Sequence, residues 1–173
     1  MSAPRVRLAP RAGAMRGARA LLARVARLAL AAARWEGGLV EITFVDDETL
    51  RRLHARFLGE GTRTDVLAFD YRGAPGPVQR VDGEVLVSLD RARIEAARRG
   101  HATIEEIALY VAHGCLHLGG LRDESRGQAA RMRRAERDVL ERAGVPYRFF
   151  PAVGRRGPGS RRPSKESKAA FSH

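Results

Sequence analysis

The sequence lacks the residues that several protein classes need. Its single cysteine, Cys115, cannot form an internal disulfide, so a disulfide-stabilised secreted scaffold is excluded. Aromatic residues make up only 6% of the 173 residues, and they form no motif like the stacking platform of RNA-recognition motifs. No apolar run is long enough to span a bilayer, because arginines interrupt the stretch at 16–35. We therefore expect a cytoplasmic protein with no membrane partner.

Acidic side chains are few relative to basic ones. The 20 Asp and Glu residues stand against 32 Lys and Arg residues, which gives a net charge of +12. Excess positive charge favours binding to nucleic acid or to an anionic surface. A GC-rich genome, which encodes arginine and alanine frequently, would produce the same excess, so charge alone does not decide. The arginine-rich, acid-free N-terminus is also typical of a mitochondrial presequence, and this alternative stays open.

Composition along the chain predicts one domain between two basic ends. Hydrophobic residues make up 44% of the sequence, which is enough for one ordinary core in a chain of this length. Residues 1–12 are predicted to be a disordered basic leader, and residues 151–173 a disordered basic tail. This division leaves a single domain at 13–150.

Hydrophobic periodicity within that domain predicts both strands and helices. Alternating apolar residues predict strands at 39–46, 64–71 and 81–90, and a period of 3.6 residues predicts five helices around them. Asp46 and Asp90 are predicted to cap the helices that follow the first and third of these strands. The predicted fold is therefore α+β, with a small mixed sheet of three to four strands covered by helices.

The most informative stretch is TIEEIALYVAHGCLHLGGLRD, residues 103–123. A capping box of Thr103 and Glu106 is predicted to open a helix with one buried apolar face, which makes it the central helix of the fold. His113 and His117 are four residues apart, so both side chains lie on the same side of this helix.

The pattern HxxxHxxxxxD predicts a metal site. Gly119 and Gly120 end the helix and let the chain turn back, which delivers Asp123 as a third ligand beside the two histidines. Zinc binds histidine nitrogen and carboxylate oxygen readily, and three protein ligands leave a position for water, as in catalytic zinc sites. The order resembles the metzincin peptidases, but Gly114 occupies the place of their catalytic glutamate. Ordinary helix histidines, capping or hydrogen-bonded, are the alternative interpretation.

Four segments together resemble one known family. HGCLHLGGLRD at 113–123 is similar to a motif HGxLHLxGYDH, and TDVLAF at 64–69 is similar to a strand TDVLSF. DGEVLVS at 82–88 and VDDETLRRLHARF at 45–57 resemble a strand and a helix of the same family. These are motifs of the YbeY family of bacterial rRNA maturation factors, which are described as metal-dependent endoribonucleases. The resemblance covers about residues 39–142, in the order of the family.

The resemblance implies a single-strand-specific, metal-dependent endoribonuclease. It implies action in rRNA maturation, at the 3′ end of the small-subunit rRNA, and in ribosome quality control. The implied partners are ribosomal RNA and the small ribosomal subunit, and the implied cofactor is one Zn²⁺ ion, other divalent ions staying open. By position, His113 and His117 match the first two metal ligands of the family. Asp123 stands where most members have a third histidine, and a carboxylate is an acceptable zinc ligand.

Two positions depart from the family pattern. Leu58 follows Phe57 where most members carry an arginine, and Arg63 stands where the family has a proline before TDV. Arg63 is therefore the candidate replacement for the missing guanidinium. In the implied mechanism the metal activates water and polarises a phosphate oxygen. Arg63 and Arg122 are the candidates for binding RNA phosphate and stabilising the charge that develops on it.

The sequence does not identify the general base. Glu106 and Tyr110, on the same helical face as His113, are candidates, and Asp65 and Glu124 are also possible. Two other functions stay open beside the endoribonuclease. One is a metal-stabilised ribosome-binding assembly factor without cleavage activity. The other is a zinc peptidase, which Gly114 disfavours.

Overall fold

The computed structural model describes residues 4–9, 15, 17–59, 64–73, 81–147 and 170–172. These parts of the chain form five strands and five helices. In chain order they are β1 (Arg5–Leu8), α1 (Arg19–Ala32), β2 (Leu39–Val45), α2 (Asp47–Leu58), β3 (Val66–Asp70), β4 (Gly83–Ser88), α3 (Leu89–Arg99), α4 (Thr103–Leu118), α5 (Arg126–Ala143) and β5 (Ala170–Ser172).

The strands form one mixed sheet in the order β1-β2-β4-β3-β5. Strands β1, β2 and β4 are parallel, and β3 pairs antiparallel with both β4 and β5. Strand β2 alternates between partly exposed and buried side chains, as its sequence predicts. The predicted α+β class and mixed sheet are therefore confirmed.

Two short edge strands correct the predicted disordered ends. Strand β1 lies within the predicted leader at 1–12, and β5 lies within the predicted tail at 151–173. Strand β1 pairs in register with β2, buries Leu8 and places the guanidinium of Arg7 2.8 Å from the carboxylate of Glu41. Four residues with alternating arginines carry too weak a local signal, because this strand is defined by its partner rather than by its own composition.

Helix α4 is the central helix, as predicted. It packs on β3 and β4 and contacts α1, α3 and α5. Its apolar residues, with Val66 and Ala68 of β3, belong to the main core. The alternate residues Leu67 and Phe69 of β3 belong to a second cluster on the other face of the sheet, where α2 packs. Helix α2 therefore packs on the face of the sheet opposite the main core, and it also contacts α3.

Two helix caps differ from their predictions. Ser88, not Asp90, caps α3, and the Asp90 carboxylate instead accepts a hydrogen bond from the backbone N–H of Asp47. Helix α4 begins after Ala102, which has no side chain that can cap it, and Glu106 is fully buried and bonded to Arg99 and His101 instead. The predicted cap at Asp46 is present and accepts from the backbone N–H of Thr49.

Within the described ranges, no helix is both long and apolar enough to cross a membrane.

Candidate metal centre

The C-terminal half of α4 is fixed on the sheet by a glycine. A Cβ atom at Gly114 would lie 2.5 Å from Cγ1 of Val85 and 2.7 Å from Cγ2 of Val66, so only glycine lets the helix approach β3 and β4 this closely. This contact sets the rotation of the helix. His113 and His117 are thereby held as a pair with ring centroids 4.4 Å apart.

The turn after α4 brings the third predicted residue to the pair. Gly119 packs against Ala33, whose Cβ atom a side chain at 119 would meet at 2.2 Å, and Gly120 has a φ of 97°, which favours glycine. The chain then reverses, and Asp123 reaches the histidines. Its Oδ1 atom lies 3.8 Å from Nε2 of His117, and its Oδ2 atom lies 4.0 Å from Nε2 of His113.

The three residues offer one compact donor set. The Nε2 atoms of His113 and His117 are 3.0 Å apart, and one ligand atom from each of the three residues lies within 4.8 Å of the others. The structure therefore brings together the three residues that the HxxxHxxxxxD pattern singles out. Two imidazole nitrogens and a carboxylate oxygen are a donor set that zinc accepts.

The outer nitrogen of each histidine faces an acceptor. The Nδ1 atom of His113 lies 2.6 Å from Oε1 of Glu136, and the Nδ1 atom of His117 lies 2.8 Å from the carbonyl oxygen of Leu121. A carbonyl oxygen and a carboxylate require N–H donors, so the neutral rings carry their protons on Nδ1. Both Nε2 lone pairs then point at one another, an arrangement that a shared cation relieves. The residues present therefore fit a bound divalent metal.

The electrostatics of the centre couple its acids to His113. Burial acts to lower the pKa of His113, but the hydrogen bond and the negative charge of Glu136 outweigh it and raise the pKa above its ordinary value. Asp65 and Asp123 add to this rise. Burial raises the pKa of Asp123, and the charge of Glu136 adds to that rise while His113 opposes it. The centre thus concentrates negative charge around two nitrogen donors.

Glu136 was not among the residues that sequence analysis singled out. It lies on α5, and its side chain is only 8% exposed. Its Oε2 atom accepts a hydrogen bond from the hydroxyl of Tyr147 at 3.3 Å, so both carboxylate oxygens have partners. The available signal was its helical spacing: Glu136 stands among Met132, Val139 and Leu140, on the buried side of α5. An acid within an apolar stripe needs a partner, and here the partner is His113.

The other predicted site residues lie in different places. Arg63 lies outside the described residues, as does the side chain of Leu58. Arg122 is partly exposed and directly precedes Asp123 in the chain.

The candidate general bases differ in their surroundings. Glu106 is fully buried, 3.0 Å from Nη1 of Arg99 and 2.5 Å from Nε2 of His101, so it is engaged in a structural network. Burial raises the pKa of Tyr110, and the negative charges of Asp65 and Glu106 add to that rise. Burial also raises the pKa of Asp65, against the opposing charge of His113.

Comparisons with known proteins agree with the motifs. A family model described as Endoribonuclease YbeY matches residues 14–144. A protein of that name from Chloroflexus aurantiacus is 37% identical over 134 residues, which cover 73% of this chain and 87% of that protein. Another from Myxococcus xanthus is 36% identical over 129 residues, which cover 72% of this chain and 43% of that protein. This chain therefore spans less than half the length of the Myxococcus relative.

A solved structure is also similar in part. It is the solution structure of a protein from Thermotoga maritima, 21% identical, with a TM-score of 0.49, and the match covers 88% of this chain and 99% of that one.

Proposed function

The chain belongs to the YbeY endoribonuclease family, and we propose that it is a metal-dependent endoribonuclease that cleaves single-stranded RNA during rRNA maturation. Its proposed target is the 3′ end of the small-subunit rRNA, with a further role in ribosome quality control. The proposed site of action is the cytoplasm, on the small ribosomal subunit.

The observation that carries this proposal is the arrangement of three donors around one point. The facing Nε2 atoms of His113 and His117, 3.0 Å apart, stand beside the carboxylate of Asp123. The Nδ1 protons of both histidines are fixed by Glu136 and by the carbonyl of Leu121, which keeps the Nε2 lone pairs available. We assign these three residues as the metal ligands and zinc as the metal.

The roles of the protein groups follow from their positions. When bound, the metal would activate a water molecule and polarise a phosphate oxygen of the substrate. Arg122, which directly precedes Asp123 in the chain, is assigned to the phosphate of the bound RNA, where a guanidinium stabilises developing negative charge. Arg63 is assigned to the same task from its sequence position. Glu136 holds the ring of His113 in one orientation through a 2.6 Å contact.

A peptidase is disfavoured by the structure around Gly114. A metzincin uses a glutamate at this position as general base, whereas here the position is directed into the sheet against Val85 and Val66. A glutamate placed there would enter the core rather than approach the histidines.

The test combines metal content with RNA cleavage. We expect the purified protein to hold one zinc ion and to cleave single-stranded RNA but not the matching duplex. His117→Ala and Asp123→Ala should lose both metal and cleavage, and EDTA should abolish cleavage by the parent. Asp138→Ala is the matched control, because it also removes a carboxylate but from the exposed side of α5.

A folded parent without metal, or cleavage that survives EDTA, would contradict the proposal. Bound metal and bound RNA without cleavage would instead indicate an assembly factor.

A further inference from the structure

The arginines of α2 and α3 other than Arg56 form ion pairs with neighbouring acids. Each of these pairs joins residues of one helix or of adjoining turns, and the acids involved are Glu48, Asp90, Glu95 and Glu106. The pairs are Arg51 and Arg52 with Glu48, Arg93 with Asp90, Arg91 and Arg98 with Glu95, and Arg99 with Glu95 and Glu106. Apart from Arg56, the arginines of these two helices therefore add little uncompensated charge to the surface.

Helices α1 and α5, in contrast, carry exposed arginines without ion pairs to acids in the described part of the chain. Helix α1 contains no acidic residue, and the exposed acids of α5 are Asp138 and Glu141. Seven exposed arginines of these helices form no ion pair with any acid of the described residues: Arg24, Arg27, Arg126, Arg131, Arg134, Arg137 and Arg142. We call this set the α1/α5 arginine face. The two helices pack together, and the guanidinium of Arg24 donates to the backbone carbonyl of Arg142 at 2.8 Å, so the arginines of α1 adjoin those of α5 at that end.

The α1/α5 arginine face borders the metal centre. Arg137 lies over the ring of Tyr147, 5.3 Å from its centroid. The hydroxyl of Tyr147 donates to Glu136, whose other oxygen contacts His113. Arg126 opens α5 three residues after Asp123. A nucleic-acid chain that leaves the metal centre across Tyr147 would therefore meet the α1/α5 arginine face directly.

The composition of the face selects the class of partner. The exposed large hydrophobic side chains of the described residues are Phe57 and Ile94, which lie on α2 and α3 rather than on this face. A protein partner normally requires apolar or aromatic anchors at the centre of the interface. A membrane partner requires an apolar helix face to insert, but the apolar side of α1, including Leu22 and Val25, is fully buried in the core. Charge without apolar anchors suits a phosphate backbone.

We propose that the α1/α5 arginine face binds the phosphate backbone of RNA that flanks the segment held at the metal centre, without reading its sequence. The identity of the RNA rests on the proposed function, but the binding itself does not need metal or cleavage. Helix α5 has 18 residues and is about 27 Å long, so the face extends the substrate site well beyond the metal centre.

The test measures RNA binding in EDTA, where no cleavage occurs. A labelled single-stranded RNA of about 20 nucleotides is titrated with the full chain at several salt concentrations. The variant Arg27→Gln/Arg131→Gln/Arg134→Gln removes three arginines of the face. The matched control Arg52→Gln/Arg93→Gln/Arg98→Gln removes the same charge from arginines that are 68%, 60% and 63% exposed but ion-paired.

Each phosphate contact contributes about 0.7 to the slope of log affinity against log salt for a single strand, so the face variant should lower the slope by about 2. Its affinity near physiological salt should fall about tenfold or more, while the control should keep most of the parent's affinity and slope. Equal losses in both variants would show a general charge effect and overturn the inference. Binding to vesicles of anionic phospholipid with no measurable affinity for RNA would also overturn it.

The same samples separate this inference from the proposed function. A parent that binds RNA through the face but never cleaves it with zinc present contradicts the function alone. A parent that cleaves RNA while the face variant binds as tightly as the parent contradicts the inference alone.

Discussion

The Nδ1 atom of His113 lies 2.6 Å from Oε1 of Glu136, so a buried acid on α5 sets the orientation of a histidine on α4. A carboxylate in this position fixes the Nδ1–H tautomer and makes Nε2 a better donor to a metal. We expect Glu136→Gln to weaken metal affinity by about 10- to 100-fold while leaving the protein folded, because glutamine has the same shape but no charge. Competition with a chromophoric chelator measures this affinity directly.

Tyr147→Phe serves as the control for that experiment. It removes the hydroxyl that lies 3.3 Å from the other oxygen of Glu136 but leaves the contact with His113 in place. Its effect on metal affinity should be clearly smaller than that of Glu136→Gln. Unchanged affinity in a folded Glu136→Gln protein would mean that this acid does not act on the metal centre.

Local sequence patterns predicted the parts of the site that lie on one element. The spacing of His113 and His117 fixes a shared helix face whatever surrounds the helix, and the glycines after it allow the return of Asp123. The structure brings these three residues together, and their role as metal ligands stays a prediction. Glu136 lies on another helix, and its meeting with His113 depends on how α4 packs against α5. No local pattern contains that information.

The errors in the predicted caps have the same origin. Thr103 and Glu106 have the spacing of a capping box, but Glu106 is taken into the core by Arg99 and His101. These two partners are supplied by the end of α3 and the turn that follows it. A buried acid gains more from a guanidinium and a second side-chain partner than from one backbone N–H. The tertiary contacts of Glu106 therefore replace the capping box that the local sequence predicts.

Gly114 provides a test of how α4 is seated on the sheet. A Cβ atom at this position would lie 2.5 Å from Val85 and 2.7 Å from Val66, in the packed core. We expect Gly114→Ala to lower the free energy of unfolding by about 1–3 kcal/mol, in spite of the better helix propensity of alanine. Urea denaturation measures the change.

The control is Gly127→Ala on α5, where a Cβ meets nothing within 4 Å. It should raise stability by about 0.5–1 kcal/mol. Equal stabilisation in both variants would show that the helix is not held close to the strands.

Cys115 reports on the opening of the core around α4. Its side chain is completely buried, and burial raises the pKa of its thiol well above the ordinary value. We expect a thiol reagent to label the native protein slowly, at the rate of local or global opening, and raising the pH to 9 should accelerate labelling far less than for a free thiol. A Cys115→Ala/Ala31→Cys protein, with the new thiol at an exposed position of α1, is the control and should react rapidly. Rapid labelling of native Cys115 would contradict its placement in the core.

Asp123 offers a hard oxygen donor at the position where most members of the YbeY family have a third histidine. Carboxylate oxygen suits Mn²⁺ and Mg²⁺ better than imidazole does, whereas imidazole suits Zn²⁺. We expect Asp123→His to raise the affinity for Zn²⁺ relative to Mn²⁺ by about tenfold or more, which corresponds to about 1.4 kcal/mol. Chelator competition with each ion measures the two affinities separately. Asp123→Glu, which keeps the carboxylate, should leave their ratio close to that of the parent. If the histidine variant binds both ions as the parent does, Asp123 lies beside the metal without binding it, and the third donor has to be sought elsewhere around His113 and His117.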